Sequence, residues 1–327
     1  MVPMPASPTH YVVSLTADQA GRLRELLAGR GWRLATVPHA LWQAADATAQ
    51  VTAYPSGKLV VQGKGTAEFV QFILEPEITG VAALGYEAER AAAANPAMFE
   101  PHAGIDESGK GDYFGPLVIA AVAVQAESAR RLLELGVKDS KQIKSDRRIA
   151  VLAAGVRETV GGAFAVVAVG PEAYNRLYGK LHNVNRLLAW GHARALENLL
   201  DKAPDCPRAI SDQFGRVETV RRALMERGRQ IKLEQFTKAE SDVAVAAASI
   251  LARAEFVRRL AQLGEAVGQA LPKGAGEPVT RAGVELVRGR GAAALARVAK
   301  LHFKTTAQVC PELAVVRGAC GAGGLRR

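Results

Sequence analysis

Residues 104–116 read Gly104-Ile105-Asp106-Glu107-Ser108-Gly109-Lys110-Gly111-Asp112-Tyr113-Phe114-Gly115-Pro116, and an apolar run over 117–124 follows at once. Two adjacent carboxylates close a short apolar stretch, a glycine-lysine-glycine turn comes next, and a second strand-like segment begins. Paired acids at a strand end can hold a divalent metal. A Gly-Lys-Gly loop can bring backbone N–H groups and one cation against a phosphate or sugar. Together they point to metal-dependent chemistry on a phosphodiester. Gly104 and Gly109-Lys110 also have the spacing of a nucleotide-binding P-loop, but the next residue should be Ser or Thr and is Gly111. Asp106 and Glu107 would moreover repel the phosphate such a loop must cradle. The P-loop reading is rejected.

The rest of the composition fits a polyanionic substrate. The chain has 327 residues, 42 Lys+Arg and 32 Asp+Glu, for a net charge of +10. The first hundred residues carry seven basic and nine acidic groups, which leaves 35 basic and 23 acidic groups for the remainder. The excess positive charge therefore belongs to the part that holds the carboxylate pair. A hydrophobic content of 49% is ample for a packed core, and the length predicts more than one domain. Cys206, Cys310 and Cys320 form no C-x-x-C pair, so neither a disulfide framework nor a structural zinc site is expected. The N-terminus lacks a signal-peptide pattern, and no apolar run reaches membrane-spanning length. A soluble, cytoplasmic protein is expected.

Along the chain, residues 10–76 read as a small α+β unit. A strand over 10–15 precedes a helix opened by a capping-box spacing, Thr16 and Gln19, with Leu23, Leu26 and Leu27 on one face. Strands are expected over 32–37 and 40–45. A hairpin over 50–54 and 58–62 turns at Pro55-Ser56-Gly57, and a helix follows over 66–74. The stretch 78–100, rich in proline, glycine and alanine, reads as a linker between domains 1–77 and 101–327. Beyond it, strands and helices alternate. Strands are predicted over 104–107, 117–124, 163–169, 208–211 and 230–235. Helices are predicted over 128–135, 145–160, from Pro171, and over 183–200, 217–227 and 242–260. Glycine-rich segments and a basic tail follow. The pattern is a mixed α/β domain behind a separate α+β domain.

Two further acid positions stand out. Asp212 ends a short apolar segment, as Asp106 does, and acids at strand ends can converge across a sheet. Glu240, in Lys238-Ala239-Glu240-Ser241-Asp242, stands at the mouth of the helix that begins near Val243. Each has a plain alternative. Asp212 can open a turn, Glu240 can favour a helix dipole, Asp242 can be the N-cap, and Lys110 can be an ordinary exposed lysine. His182, His192 and His302 are scattered and are given core or surface roles.

At these residues the chain resembles the prokaryotic type 2 ribonucleases H. The likeness runs from Asp106 to Pro116 and on through Lys138-Asp139-Ser140-Lys141, Ser211-Asp212-Gln213-Phe214 and Ala247-Ala248-Ser249-Ile250-Leu251-Ala252-Arg253. Within that group, Asp112-Tyr113-Phe114 ahead of Gly115-Pro116 resembles the ribonuclease HIII family. So does Tyr54-Pro55-Ser56-Gly57-Lys58-Leu59-Val60-Val61-Gln62-Gly63-Lys64-Gly65, which is similar to its TBP-like substrate-binding domain.

The resemblance implies a ribonuclease H-like catalytic domain, with a mixed sheet and flanking helices, behind an N-terminal α+β TBP-like domain. It implies cleavage of the RNA strand of an RNA–DNA hybrid duplex with two Mg²⁺ or Mn²⁺ ions, leaving 3′-hydroxyl and 5′-phosphate ends. Asp106, Glu107 and Asp212 match the metal-binding acids. Glu240 best matches the fourth, with Asp242 as the alternative. Ser108, Gly109, Lys110 and Gly111 would meet the minor groove, where backbone can approach the 2′-hydroxyls. Lys141 and Lys304 would hold phosphates. Tyr54, Lys58 and Lys64 would serve the N-terminal domain. A monomer with no obligate protein partner is expected.

Two rivals remain at this stage. A ribonuclease HII-like enzyme would excise single ribonucleotides from duplex DNA, using a tyrosine past the last acid. No tyrosine follows Tyr178 in this chain. A non-catalytic nucleic-acid-binding protein would bind tightly and in a salt-sensitive way without metal.

Overall fold

The structure, a computed structural model, describes residues 9–84, 95–212, 222–236 and 239–314. The chain divides into two compact units, Met1–Ala94 and Asn95–Arg327.

The first unit is an antiparallel sheet with helices on one face. Strands β1 (His10–Ser14), β2 (Arg33–Ala35), β3 (Trp42–Ala45), β4 (Gln50–Ala53) and β5 (Lys58–Gln62) lie in the order β1-β5-β4-β3-β2. Helix α1 (Ala17–Gly29) starts with the predicted capping box. The Gln19 N–H donates to Thr16 Oγ1 at 3.2 Å, and the Thr16 N–H donates to Gln19 Oε1 at 3.0 Å. Leu23, Leu27, Trp42, Val51, Leu59 and Phe69 form the core beneath it. The expected strands over 32–37 and 40–45 are shorter, because Pro38 and His39, with φ of 64°, turn the chain between them. The expected helix over 66–74 begins as α2 (Thr66–Phe69) and continues as π-helical turns over Val70–Thr79, with Pro76 inside. A proline has no N–H to give the i−4 carbonyl, and the wider turns accommodate that loss. Ile78 and Thr79, expected in the linker, thus belong to this helix. Pro96–Phe99 form a short 3₁₀ turn, with Met98 buried, at the start of the second unit. Residues 85–94 of the expected linker lie outside the described residues.

The second unit is a five-stranded mixed sheet. Its strands are β6 (His102–Ser108), β7 (Leu117–Val124), β8 (Phe164–Val169), β9 (Arg208–Asp212) and β10 (Lys232–Phe236), in the order β10-β9-β6-β7-β8. The β6–β7 and β7–β8 pairs are antiparallel, while β6–β9 and β9–β10 are parallel. Helices α3 (Ala126–Glu134), α4 (Asp146–Thr159), α5 (Pro171–Leu181), α6 (Val184–Leu200) and α7 (Val243–Val267) flank it.

Side chains alternate along a strand, so β6 addresses a different helix on each face. Ala103 and Ile105 join Leu117, Ile119 and Ala121 in a core with Leu187, Leu188 and Leu196 of α6. Gly104 meets α7 on the other face, where an added Cβ would collide with the backbone of Ala244 and Val245. Both helices are therefore pressed onto the strand that carries Asp106 and Glu107.

Two further differences from the sequence reading concern helices. Of the helix expected over 217–227, residues 217–221 lie outside the described residues, 222–223 are helical, and 226–230 form a turn. The region after α7, read as glycine-rich segments and a tail, contains α8 (Glu277–Arg290), α9 (Ala292–Val298), α10 (Thr305–Val309) and α11 (Pro311–Ala314). Its glycines punctuate helices rather than prevent them. Gly276 precedes α8, Gly291 joins α8 to α9, and Gly283 lies buried within α8.

Candidate active site

Asp106 and Glu107 are consecutive on β6, so they leave the sheet on opposite faces and meet different partners. Asp106, on the α7 side, is 8% exposed. It accepts a hydrogen bond from the Glu107 N–H at 2.8 Å. Burial, reinforced by the neighbouring charge of Glu107, pushes its pKa up to about 7 against the pull of the Glu107 N–H, the Ser249 hydroxyl and the Lys141 charge. Glu107 lies on the α6 side. Burial acts to raise its pKa too, but the hydrogen bond and charge of His192, followed by Lys110, hold it below the usual carboxylate value. The His192 Nε2 lies 3.1 Å from Glu107 Oε2, and the Lys110 Nζ lies 3.5 Å from Oε1.

Asp212 ends the neighbouring parallel strand. Its predecessor Ser211 pairs with Ile105, which sets Asp212 level with Asp106. Neighbouring strands are about 4.8 Å apart, so the two carboxylates emerge at the same height of the sheet.

These three acids open on a cavity of about 340 Å³ that also takes in Ser108, Gly109, Lys110, Gly111 and Lys141. It adds Asp112, Ser140 and Arg253, to which the sequence reading gave no role. The Lys141 turn is fixed from α7: Ser140 Oγ lies 2.6 Å from Ser249 Oγ, and Ser249 donates to Asp139 Oδ1 at 3.4 Å. The loop after Gly109 is fixed from the C-terminal side. The Tyr113 N–H donates to Gly274 O at 2.8 Å, the Gly274 N–H donates to Asp112 Oδ1 at 2.6 Å, and the buried Lys300 donates to Asp112 O at 2.7 Å. A larger cavity, about 480 Å³, opens at the other end of the sheet beside His102, Val124 and Thr159, away from the converging acids.

Glu240 belongs to the 3₁₀ turn Ala239–Ser241, and Ala239 packs with Ile210 of β9 and Val245 of α7. The turn therefore adjoins the strand that ends at Asp212, while the Glu240 side chain lies outside what is described. Asp242 has other work. It is buried and caps α7, accepting from the Ala244 N–H at 2.9 Å and the Val245 N–H at 3.2 Å. Both of its oxygens lie 3.0 Å from His102 Nε2. Lys304 is exposed ahead of α10 and does not line the cavity. In the first unit, Lys58 and Lys64 are exposed and Tyr54 is half-buried, with its N–H donating to Lys58 O at 2.8 Å.

Among the described residues, no group of three or more His, Cys, Asp or Glu is closed enough to hold an ion. The donor set nevertheless fits one. Asp106 and Glu107 are hard oxygen donors suited to Mg²⁺ or Mn²⁺, and a cation would supply the charge that the buried Asp106 lacks.

The sequence reading missed His192. Its signal was a single polar residue on an otherwise apolar helix face: His192 is 1% exposed among Leu188, Ala189, Ala195 and Leu196, which are buried too. A buried imidazole needs a partner, and Glu107 is one.

The chain is similar to known proteins along most of its length. The family model for ribonuclease HII matches residues 103–306, and one for a domain of unknown function, DUF3378, matches residues 10–81. Ribonuclease HIII of Chlamydia pneumoniae is 44% identical over 305 residues, covering 93% of this chain and 99% of that protein. The chain belongs to the ribonuclease HIII family. Ribonuclease HIII of Protochlamydia amoebophila is 40% identical over 90% of this chain and 95% of its own length. Among solved ribonucleases HIII, Bst-RNase HIII in complex with Mn²⁺ aligns with a TM-score of 0.62 at 33% identity, covering 95% of this chain and 99% of its own. Aquifex aeolicus RNase H3 shares the fold, with a TM-score of 0.52 at 24% identity over 90% of this chain and all of its own. The ribonuclease H-like sheet with an N-terminal α+β domain is thus the fold of the family. Among the described residues, no helix is long and apolar enough to cross a membrane.

Proposed function

We propose that the chain is an endoribonuclease that hydrolyses the RNA strand of RNA–DNA hybrids in the cavity at the end of β6 and β9. The observation that carries this reading is the convergence of Asp106, Glu107 and Asp212 on one cavity rimmed by Gly109–Gly111 and Lys141, in a ribonuclease HIII chain. Asp106, Glu107 and Asp212, with Glu240 from the adjoining turn, would hold two Mg²⁺ or Mn²⁺ ions. When bound, these supply Lewis acidity toward the attacking water and the departing 3′ oxygen.

The chain's own groups do the rest. Gly111 has open space around it, so backbone can approach the 2′-hydroxyls that mark the RNA strand. Lys110, Lys141 and Arg253 place positive charge on the rim, where scissile and flanking phosphates would sit. The products carry 3′-hydroxyl and 5′-phosphate ends. The first unit, with Tyr54, Lys58 and Lys64, serves substrate binding, and the enzyme works as a cytoplasmic monomer without an obligate partner.

The test is cleavage of a labelled RNA–DNA hybrid and of a DNA duplex with one embedded ribonucleotide, each with Mg²⁺, Mn²⁺ or EDTA. The expected result is a metal-dependent ladder on the hybrid and little cutting at the single ribonucleotide. Binding of the hybrid without cleavage under any metal would overturn the enzymatic reading.

A further inference from the structure

One buried group near the acids has no place in the mechanism above. His192 sits midway along α6, on a face otherwise made of Leu188, Ala189, Ala195 and Leu196. Placing an imidazole there is costly unless it is hydrogen-bonded. The helix is brought within reach of β6 by Gly191, where an added Cβ would come within 2.6 Å of Ile119 Cδ1 on β7. The imidazole then meets Glu107 Oε2 at 3.1 Å, while the other carboxylate oxygen, Oε1, faces Lys110 Nζ at 3.5 Å. One oxygen of Glu107 is held from the interior, and the other is left toward the cavity rim beside an exposed lysine.

We propose that His192 is a positioning residue: it fixes the Glu107 carboxylate through Oε2, so that Oε1 is the oxygen presented to a divalent cation. This rests on the ribonuclease reading of the site and adds to it a residue from the helix on the face opposite α7. The two acids of the adjacent pair thus face different helices, Asp106 on the α7 side and Glu107 toward His192 of α6. A hydrogen bond behind a metal-binding carboxylate fixes its rotamer before the ion arrives, so the ion does not bear that ordering cost.

The test uses the full-length chain. Mn²⁺ binding to the metal-free protein is measured by isothermal titration for wild type, His192→Leu, His192→Gln, Glu107→Gln and the Glu107→Gln/His192→Leu double variant. Thermal melts, kcat and KM on a hybrid are measured alongside. His192→Leu is expected to melt cooperatively, to bind Mn²⁺ about tenfold more weakly or worse, and to lose kcat while KM for the hybrid changes by less than about twofold. His192→Gln, whose side-chain amide can donate from nearly the position of Nε2, is expected to recover both. In the double variant, His192→Leu should add no further loss of Mn²⁺ affinity to that of Glu107→Gln, because the two act as one unit. A His192→Leu protein with wild-type Mn²⁺ affinity would overturn the proposal. So would a His192→Gln protein as impaired as His192→Leu, or fully additive losses, since either makes His192 a packing residue. If His192→Leu does not fold, the recovery or impairment of His192→Gln decides. Wild type with neither Mn²⁺ binding nor cleavage would remove the ribonuclease reading itself, and this proposal with it. A normal wild type beside an unaffected His192→Leu would remove the proposal alone.

Discussion

At the scale of single residues, two carboxylates adjacent in sequence occupy opposite electrostatic settings. Asp106 is pushed up to about 7 by burial and by the charge of Glu107, whereas His192 and Lys110 hold Glu107 down against its own burial. These shifts have opposite consequences for stability. Between the ordinary aspartate value of 3.8 and about 7, native Asp106 binds more protons than the unfolded chain does, so its contribution to stability falls as pH rises through that window. Glu107 is the reverse: its contribution is present above its ordinary value of 4.5 and is lost as pH falls. Without metal, Asp106→Asn should therefore be more stable than wild type near neutral pH, by on the order of 2–4 kcal/mol, and should lose that advantage toward about pH 4. Melts across pH check this, and a difference that does not vary with pH contradicts it. Added Mg²⁺ should narrow the gap at neutral pH, because it stabilises only the chain that keeps the aspartate.

At the scale of elements, α7 organises the site. It is pressed onto β6 at Gly104, carries Arg253 to the cavity, holds the Ser140 turn through Ser249, and is capped by Asp242. Gly104→Ala has no room for its methyl against the backbone of Ala244 and Val245, so it should cost about 1–3 kcal/mol by forcing helix and strand apart. A lowered urea midpoint reads this out, and an unchanged midpoint contradicts it. Asp242 and Glu240 separate by the same reasoning. Asp242→Ala removes the acceptor for two helix N–H groups and leaves His102 without its carboxylate, so it should lose about 2–4 kcal/mol of stability. Glu240→Gln should leave the melt unchanged and abolish most turnover. A stable Asp242→Ala beside an unfolded or fully active Glu240→Gln would reverse the two roles.

The same contrast marks how far the sequence could be read. The β6–β7 hairpin was legible because a short apolar stretch ends in two acids, a glycine turn follows, and a continuous apolar run begins directly after it. The cap at Asp242 and the capping box at Thr16 were legible because both depend on residues only two or three positions apart. His192 was not, because its meaning depends on a contact with Glu107, 85 residues away. The helices after Gly276 were missed for a different reason: Gly283, Gly289 and Gly291 weaken local helix propensity, while Val279, Ala282 and Leu286 secure α8 by burial.

At the scale of the whole molecule, charge is divided between the two units. The first hundred residues are slightly acidic, whereas the rest carries the basic excess and the three acids grouped at the cavity. Bulk attraction to a polyanion therefore belongs to the second unit, and a substrate-binding role for the first would rest on a local surface. Deleting residues 1–90 should raise KM on a hybrid severalfold or more while changing kcat far less, with circular dichroism reporting a folded remainder. A folded truncation with unchanged KM would contradict a substrate-binding role for the first unit. The central claim, that this chain cleaves RNA in hybrids through the carboxylates at the end of β6, is tested most directly by Asp106→Asn. Cleavage of an end-labelled hybrid and hybrid affinity are measured for wild type and variant, in Mg²⁺ and in EDTA. The account predicts a metal-dependent ladder from wild type, none from Asp106→Asn, and affinities within a few-fold of each other. Substantial Mg²⁺-supported turnover by Asp106→Asn, or wild-type cleavage that persists in EDTA, would contradict it.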